Sequence, residues 1–259
     1  AYLNRTFTTP TNNKIYTWSG WVKRGKLSAD QGIFSVGSTA GTSCGLVFPA
    51  SDVLQFYTDN ATTANLTTTQ VFRDPSAWYH IVVAFDTTQA TAANRVKIYV
   101  NGTQVTSFST ANYPTQNLNT KFNATNQRIG AIDDAGNPYI PYDGYMTEFY
   151  FVDGQQLTPT SFAEYNSDNI WVPKAYSGTY GNNGFYLPMN TTTNYYTDQS
   201  GNSNNWTPLN FNMTTANTNY DLMVDSPTDY LSGSMSTANN AGNYCIWSGK
   251  GSYIPSGSP

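Results

Sequence analysis

The chain has 259 residues, of which 39% are hydrophobic and only 11% charged, with a net charge of -4. That length is ample for one large domain or two small ones, each with a real core. Its 12 Lys and Arg are spread too thinly to neutralise a run of phosphates, which excludes nucleic acid as a partner. No apolar run approaches the ~18 residues of a membrane span, so no membrane partner is expected.

Asn, Thr, Ser, Gly and Tyr fill the place of charge. A surface of hydroxyls and amides suits an extracellular or particle setting. The polar opening AYLNRTF reads as no secretory leader. Asn-x-Ser/Thr sequons such as Asn60, Asn101 and Asn205 arise by composition in so Asn- and Thr-rich a chain. Cys44 and Cys245 are either paired or free, and two buried free thiols are the preferred reading.

In chain order, KIYTWSGWVKRG, GIFSVGS and LVFPASDVLQFYTD read as strands. AWYHIVVAFD follows, with Trp78, His80, Val82, Ala84 and Asp86 on one face and Tyr79, Ile81, Val83 and Phe85 on the other. Both faces are largely apolar, as in a central strand covered on two sides. NRVKIYVNGTQVTSF alternates again and carries Asn101-Gly102, a type I′ hairpin signal. GYMTEFYFVDGQQL reads as a third hairpin, turning at Asp153-Gly154. TPTSFAEYN is the one short helix expected, with Thr158 as cap, Pro159 in the first turn and Ser161 with Glu164 as a capping box. GFYLPMN is a returning strand, and the stretch after residue 230 is a polar arm anchored by Tyr244, Trp247 and Tyr253. Many strands, frequent turns and almost no helix predict an all-β sandwich.

These segments carry a resemblance. WSGWVKRG, AWYHIVVAFD, VKIYVNGTQV and YDGYMTEFYFVDGQQLTP resemble, in order, the strands of laminin G-like, concanavalin A-like lectin/glucanase domains. LTPTSFAEYN, WVPKAYSGTYGNNGFYL, DQSGNSNNWTPLNF and DSPT are similar to a subset found in tail-fibre and other virion proteins of bacteriophages, marine ones above all. The resemblance spans about residues 2–230. It implies a jelly-roll sandwich of two antiparallel sheets, one concave, over residues 1–230, in which 173–230 supply a returning strand and loops. Residues 231–259 then form a polar C-terminal arm or linker. It also implies a role in virion structure or host attachment.

Chemistry has to be argued from residues, because a fold hosts many activities. A retaining glycosidase needs two carboxylates flanking the sugar bond. The chain has two Glu, Glu148 on a strand and Glu164 on the expected helix, and no Glu-x-Asp-x-Glu run. Asp133, Asp134 and Asp143 fall in a Gly/Pro loop without rigid geometry. GTSCG matches a nucleophile-elbow pattern at Ser43, yet strand rather than helix follows it. His80, the single histidine, alternates within a strand and reads as structural. No catalytic residue is therefore assigned.

For metal, DQSGNSNN supplies Asp198, Asn202 and Asn204 around Gly201, a loop that could take Ca2+ or cap its own backbone as an Asx-turn. Thr147 stands where related domains usually carry an Asp, which removes one acidic contributor. Trp18, Trp21 and Trp78 sit in strands and read as core. Tyr139, Tyr142, Tyr195 and Tyr196, with Asp143, sit in loops and form the expected ligand-binding rim, for a sugar or a protein. The preferred reading is a non-enzymatic virion structural or attachment protein: a tail fibre, capsid fibre or decoration protein. Its partners are other virion proteins or copies of itself, with a host surface glycan in addition. The alternatives are a soluble carbohydrate-binding lectin and, after it, a glycoside hydrolase.

Overall fold

A computed structural model describes residues 1–37, 43–123, 126–134, 137–190, 194–211 and 227. The expected arm from 231 to 259, with Cys245, Tyr244, Trp247 and Tyr253, lies outside them, as does the DSPT segment apart from Pro227. Among the described residues no helix is long and apolar enough to cross a membrane.

The elements are strands almost throughout: β1 Tyr2–Thr6, β2 Ile15–Arg24, β3 Gln31–Val36, β4 Cys44–Phe48, β5 Val53–Thr58, β6 Ala64–Val71 and β7 Tyr79–Asp86. Then come β8 Val96–Val100, β9 Thr103–Gln104, β10 Phe108–Asn112, β11 Asn126–Ile129, β12 Ile132–Asp134, β13 Asn137–Tyr139 and β14 Gly144–Asp153. β15 Ala163–Tyr165, β16 Trp171–Pro173, β17 Phe185–Leu187 and β18 Thr207–Leu209 complete the order. One antiparallel sheet runs β10-β6-β5-β4-β3-β11-β1-β18, and the other runs β17-β14-β2-β7-β8-β9. The protein is an all-β jelly-roll sandwich of these two sheets, as its alternating sequence predicts.

The two inner faces meet in an aromatic core. From the six-stranded sheet come Tyr16, Trp18, Phe85 and Phe151; from the eight-stranded sheet come Phe34, Leu46 and Phe56, all nearly inaccessible. Tyr16 stacks between Phe85 and Phe151 at 4.8 and 5.2 Å. Such offset ring pairs add to the burial of apolar area that holds the sheets together.

β7 lies between β2 and β8 and is buried on both faces. Its outer cover comes from the excursion between β14 and β17, where Val82, Tyr150, Val152 and Phe162 cluster with Leu157, Tyr176 and Tyr180. The Asn101-Gly102 turn joins β8 to β9 with φ of 47° and 82°, the signs that a type I′ turn requires. GFYLPMN contributes β17, on the edge beside β14.

Two expectations are corrected. Asp153-Gly154 does not close a hairpin: Gly154 turns the chain at φ +94°, but it leads into the excursion, and β14 pairs with β2 and β17 instead. The expected helix is a single 3-10 turn, Pro159–Ser161, with Thr158 at its cap making no side-chain capping bond. Glu164 cannot complete a capping box because it lies in β15, where it pairs with Lys174 at 3.1 Å. The apolar residues Phe162 and Ala163 are drawn onto the sheet, and that pull exceeds the weak local preference of a nine-residue helix.

Candidate functional site

His80 sits on the outer face of the six-stranded sheet, beneath the β15–β16 hairpin. Its Nδ1 accepts a hydrogen bond from Trp171 Nε1 at 3.1 Å. That leaves Nε2 as the protonated nitrogen, donating to Ser19 Oγ at 2.8 Å. The ring stacks on Trp21 at 5.0 Å, and burial pushes its pKa down to about 3. A neutral imidazole with both nitrogens engaged is a packing element.

The two glutamates stand on separate elements. Glu148 is buried at a β-bulge, φ +54°, between Thr147 and Tyr150. Its Oε2 accepts from the hydroxyls of Tyr150 and Tyr186, each at 2.9 Å, and burial pushes both phenols up. Glu164 stands on the separate β15–β16 hairpin. Ser43 Oγ donates to Asn60 Oδ1 at 2.6 Å, whereas His80 is bonded to Ser19 and Trp171. The nucleophile-elbow match therefore carries no base.

The loop that could take calcium or cap its own backbone has its side-chain groups bonded within the protein. Asp198 Oδ1 accepts from the amides of Tyr186 and Ser200, both at 2.9 Å. Its Oδ2 accepts from Ser200 Oγ and the Asn204 amide, both at 2.8 Å. Asn202 and Asn204 turn their Nδ2 groups onto the carbonyls of Gly181, Gly184 and Asn182. Arg5 donates to Asn204 Oδ1. Burial lowers the Arg5 pKa to about 10, against the pull of Asp198, so a cation already stands at the site. The arrangement is an Asx-turn that ties its loop to β17. Among the described residues no cluster of His, Cys, Asp and Glu is placed to hold a metal. Thr147 Oγ1 donates to Pro188 O at 2.7 Å.

The expected rim residues divide. Tyr195 and Tyr196 pack on each other at 4.9 Å, and Tyr195 packs on Phe211. Tyr142 leans on the core, and burial pushes its phenol up. Asp143 is exposed, and its backbone carbonyl accepts from Gly25 N and Gln31 Nε2. Of the expected rim tyrosines, Tyr139 is the exposed one, at 59%, beside Ile140.

Ile140 borders a groove of about 330 Å³ on the outer face of the eight-stranded sheet. Val47 of β4 and Gln55 and Tyr57 of β5 line it, together with Asp30, Ser43 and Asn60. The aromatic is positioned by a glycine. Gly45 is the cross-strand partner of Tyr57, and a Cβ at Gly45 would meet Cε1, Cζ and Oη of that ring at 2.8 to 2.9 Å. Without a side chain there, the tyrosine folds across β4. Backbone strain gathers at the groove edge: Asp59, Asn60 and Ala61 have φ of 50°, 51° and 66°, and Ile140 has φ 50°. A β-branched residue in the left-handed region is a true outlier, and such conformations collect where a binding surface is held in shape. Asn60 is clamped to Ser43 in both directions, Asn60 N to Ser43 O at 2.8 Å and Ser43 N to Asn60 Oδ1 at 3.1 Å.

A family model described as the concanavalin A-like lectin/glucanases superfamily matches residues 2–161. The chain belongs to that superfamily. Comparison with curated proteins gives no match. Among solved structures, this concanavalin A-like chain is similar to a Bacteroides ovatus protein provisionally named as carbohydrate binding. The identity is 16% and the TM-score 0.53, over 80% of this chain and 55% of that one. It is also similar to the carbohydrate-binding module of the Ruminococcus gnavus IT-sialidase, solved with α2,3-sialyllactose, at 15% identity and TM-score 0.41, over 61% and 90%. A third is the heptameric SAP-like pentraxin of Limulus polyphemus, at 15% identity and TM-score 0.44, over 61% and 71%. The first of these three supports the concanavalin A-like fold.

Proposed function

We propose that this concanavalin A-like domain is a non-catalytic carbohydrate-binding module that seats a glycan in the groove between Tyr57, Gln55, Asp30 and Asn60. The observation that carries this reading is the Tyr57 ring laid across Gly45 at the floor of a 330 Å³ groove with amide and carboxylate side chains along it. Sugars bind where an aromatic face meets their C–H groups and a few directional polar groups meet their hydroxyls. The name of the Bacteroides ovatus protein points the same way. The exposed Tyr139, next to Ile140, extends the apolar flank. On this reading Tyr57→Ala weakens binding of the responsive glycan by at least about tenfold, roughly 1.4 kcal/mol, in titration calorimetry after a glycan-array screen. Unchanged affinity in that variant would place the ligand elsewhere.

The setting of the module rests on the sequence segments that resemble bacteriophage virion proteins. On that basis the domain serves as an attachment or decoration element of a particle, touching other virion proteins or copies of itself while it reaches a host glycan. Quantitative mass spectrometry of purified particles tests this. The chain is expected in stoichiometric amount, and its absence refutes the setting while leaving glycan binding intact.

A further inference from the structure

We infer that the groove selects neutral glycans and rejects sialylated, uronic and sulfated ones, an inference that rests on the glycan-binding reading above. Among the described residues Asp30 is the single charged side chain that lines the groove, and no Lys, Arg or His lines it. Lys121, which reaches the adjacent turn, is held in an ion pair with Asp59. An acidic sugar entering here would meet a carboxylate and no counter-charge.

The polar groups point to the same chemistry. Asp30 Oδ1 accepts from Ala50 N at 2.8 Å, which orients the carboxylate, and its Oδ2 has no bond among the described residues. Gln55 Nε2 donates to Asn65 Oδ1 at 3.0 Å, which fixes the amide and leaves its Oε1 and second N–H for a ligand. The Ser43 hydroxyl donates to Asn60 Oδ1. The groove thus offers the acceptors Asp30 Oδ2 and Gln55 Oε1 beside the N–H groups of Asn60 Nδ2, and a sugar hydroxyl, which both donates and accepts, meets either kind. Neutral hexoses and pentoses offer hydroxyls and ether oxygens and carry no charge. Carboxylate, sulfate and phosphate groups offer none at neutral pH and require cationic or N–H-rich partners. A bond to an ionised acceptor such as Asp30 is about twice as strong as a neutral one, so adjacent hydroxyls bridging its oxygens would dominate recognition.

The test uses the whole chain and pairs of oligosaccharides that differ by one acidic sugar residue: lactose against α2,3-sialyllactose, and xylo-oligosaccharides with and without glucuronate. Affinities are measured by calorimetry at low and moderate salt. The expected result is that neutral members bind on the order of tenfold tighter than acidic ones, with the gap shrinking as salt rises. Asp30→Asn is expected to weaken the neutral ligand and close the gap. Gly45→Val, which places a side chain where the Tyr57 ring lies, is expected to remove both affinities while the thermal unfolding midpoint stays near that of the parent. Equal or tighter binding of the acidic member, still lost in Gly45→Val, overturns the charge selection and keeps the glycan site. Binding that Gly45→Val leaves untouched, or no binding by any pair, overturns the glycan site itself.

Discussion

The imidazole of His80 has its proton affinity lowered by the wall of Trp21, Trp171 and Ser19 around it. With a folded pKa of about 3 and an ordinary value near 6.5 in the unfolded chain, the unfolded state binds the extra proton throughout that interval. Stability therefore rises with pH from about 3 to 6.5 and is lost as pH falls through it, by up to about 1.4 kcal/mol per pH unit. Urea unfolding between pH 6.5 and 4.5, above the main carboxylate range, should show this slope in the parent and a flatter one in His80→Phe. An identical slope in both would mean that His80 titrates normally. Cys44 offers a second residue-scale check. Its thiol is buried, accepts from Asp59 N at 3.4 Å, and is pushed by burial up to about 12. A thiol reagent at pH 8 should leave the Cys44 peptide unlabelled in the native protein and label it in urea.

Elements are joined here by buried side chains as much as by backbone ladders. Asp153, at the end of β14, accepts from the amides of Thr11 at 2.7 Å, Asn12 at 3.2 Å and Asn183 at 3.1 Å, and from Asn123 Nδ2 at 2.6 Å. It thereby pins the entry to β2 and the approach to β17 onto the end of one strand. Asp153→Ala strands four donors, and chemical denaturation should report a loss of about 2–4 kcal/mol. Sequence showed this position as a turn and missed its role, because Asp-Gly reports only local φ preference while the four donors come from segments up to 142 residues away. Glu164 was misread for a related reason. Local capping rules placed it on a helix, whereas packing of Phe162 onto Tyr150 at 5.2 Å draws the segment into extended chain. The strands themselves were legible, since period-two alternation in β7 and β8 states directly which side chains face inward.

At the scale of the molecule, strands late in the chain close the sheets that the first strands open. β18 pairs with β1, β17 covers the edge of β14, and Trp206 packs on Phe7 and Phe185 at 6.1 and 5.0 Å. A chain ended at residue 161, where the family match stops, loses these partners and leaves core faces open. It is expected to be aggregated, while residues 1–211 keep cooperative thermal unfolding; a soluble, cooperative 1–161 chain would contradict this view. Side-chain alternation and turn chemistry, which are local, determined on their own that the protein is a β-sandwich with a Gly-turned β8–β9 hairpin and a structural histidine. The groove was decided only by tertiary structure. Gly45 meets Tyr57 through strand register, and Ile140 reaches the same place from a hairpin more than eighty residues away in the chain. Neither neighbour can be read from local pattern, because the placing forces are the long-range pairing and burial of the finished sandwich.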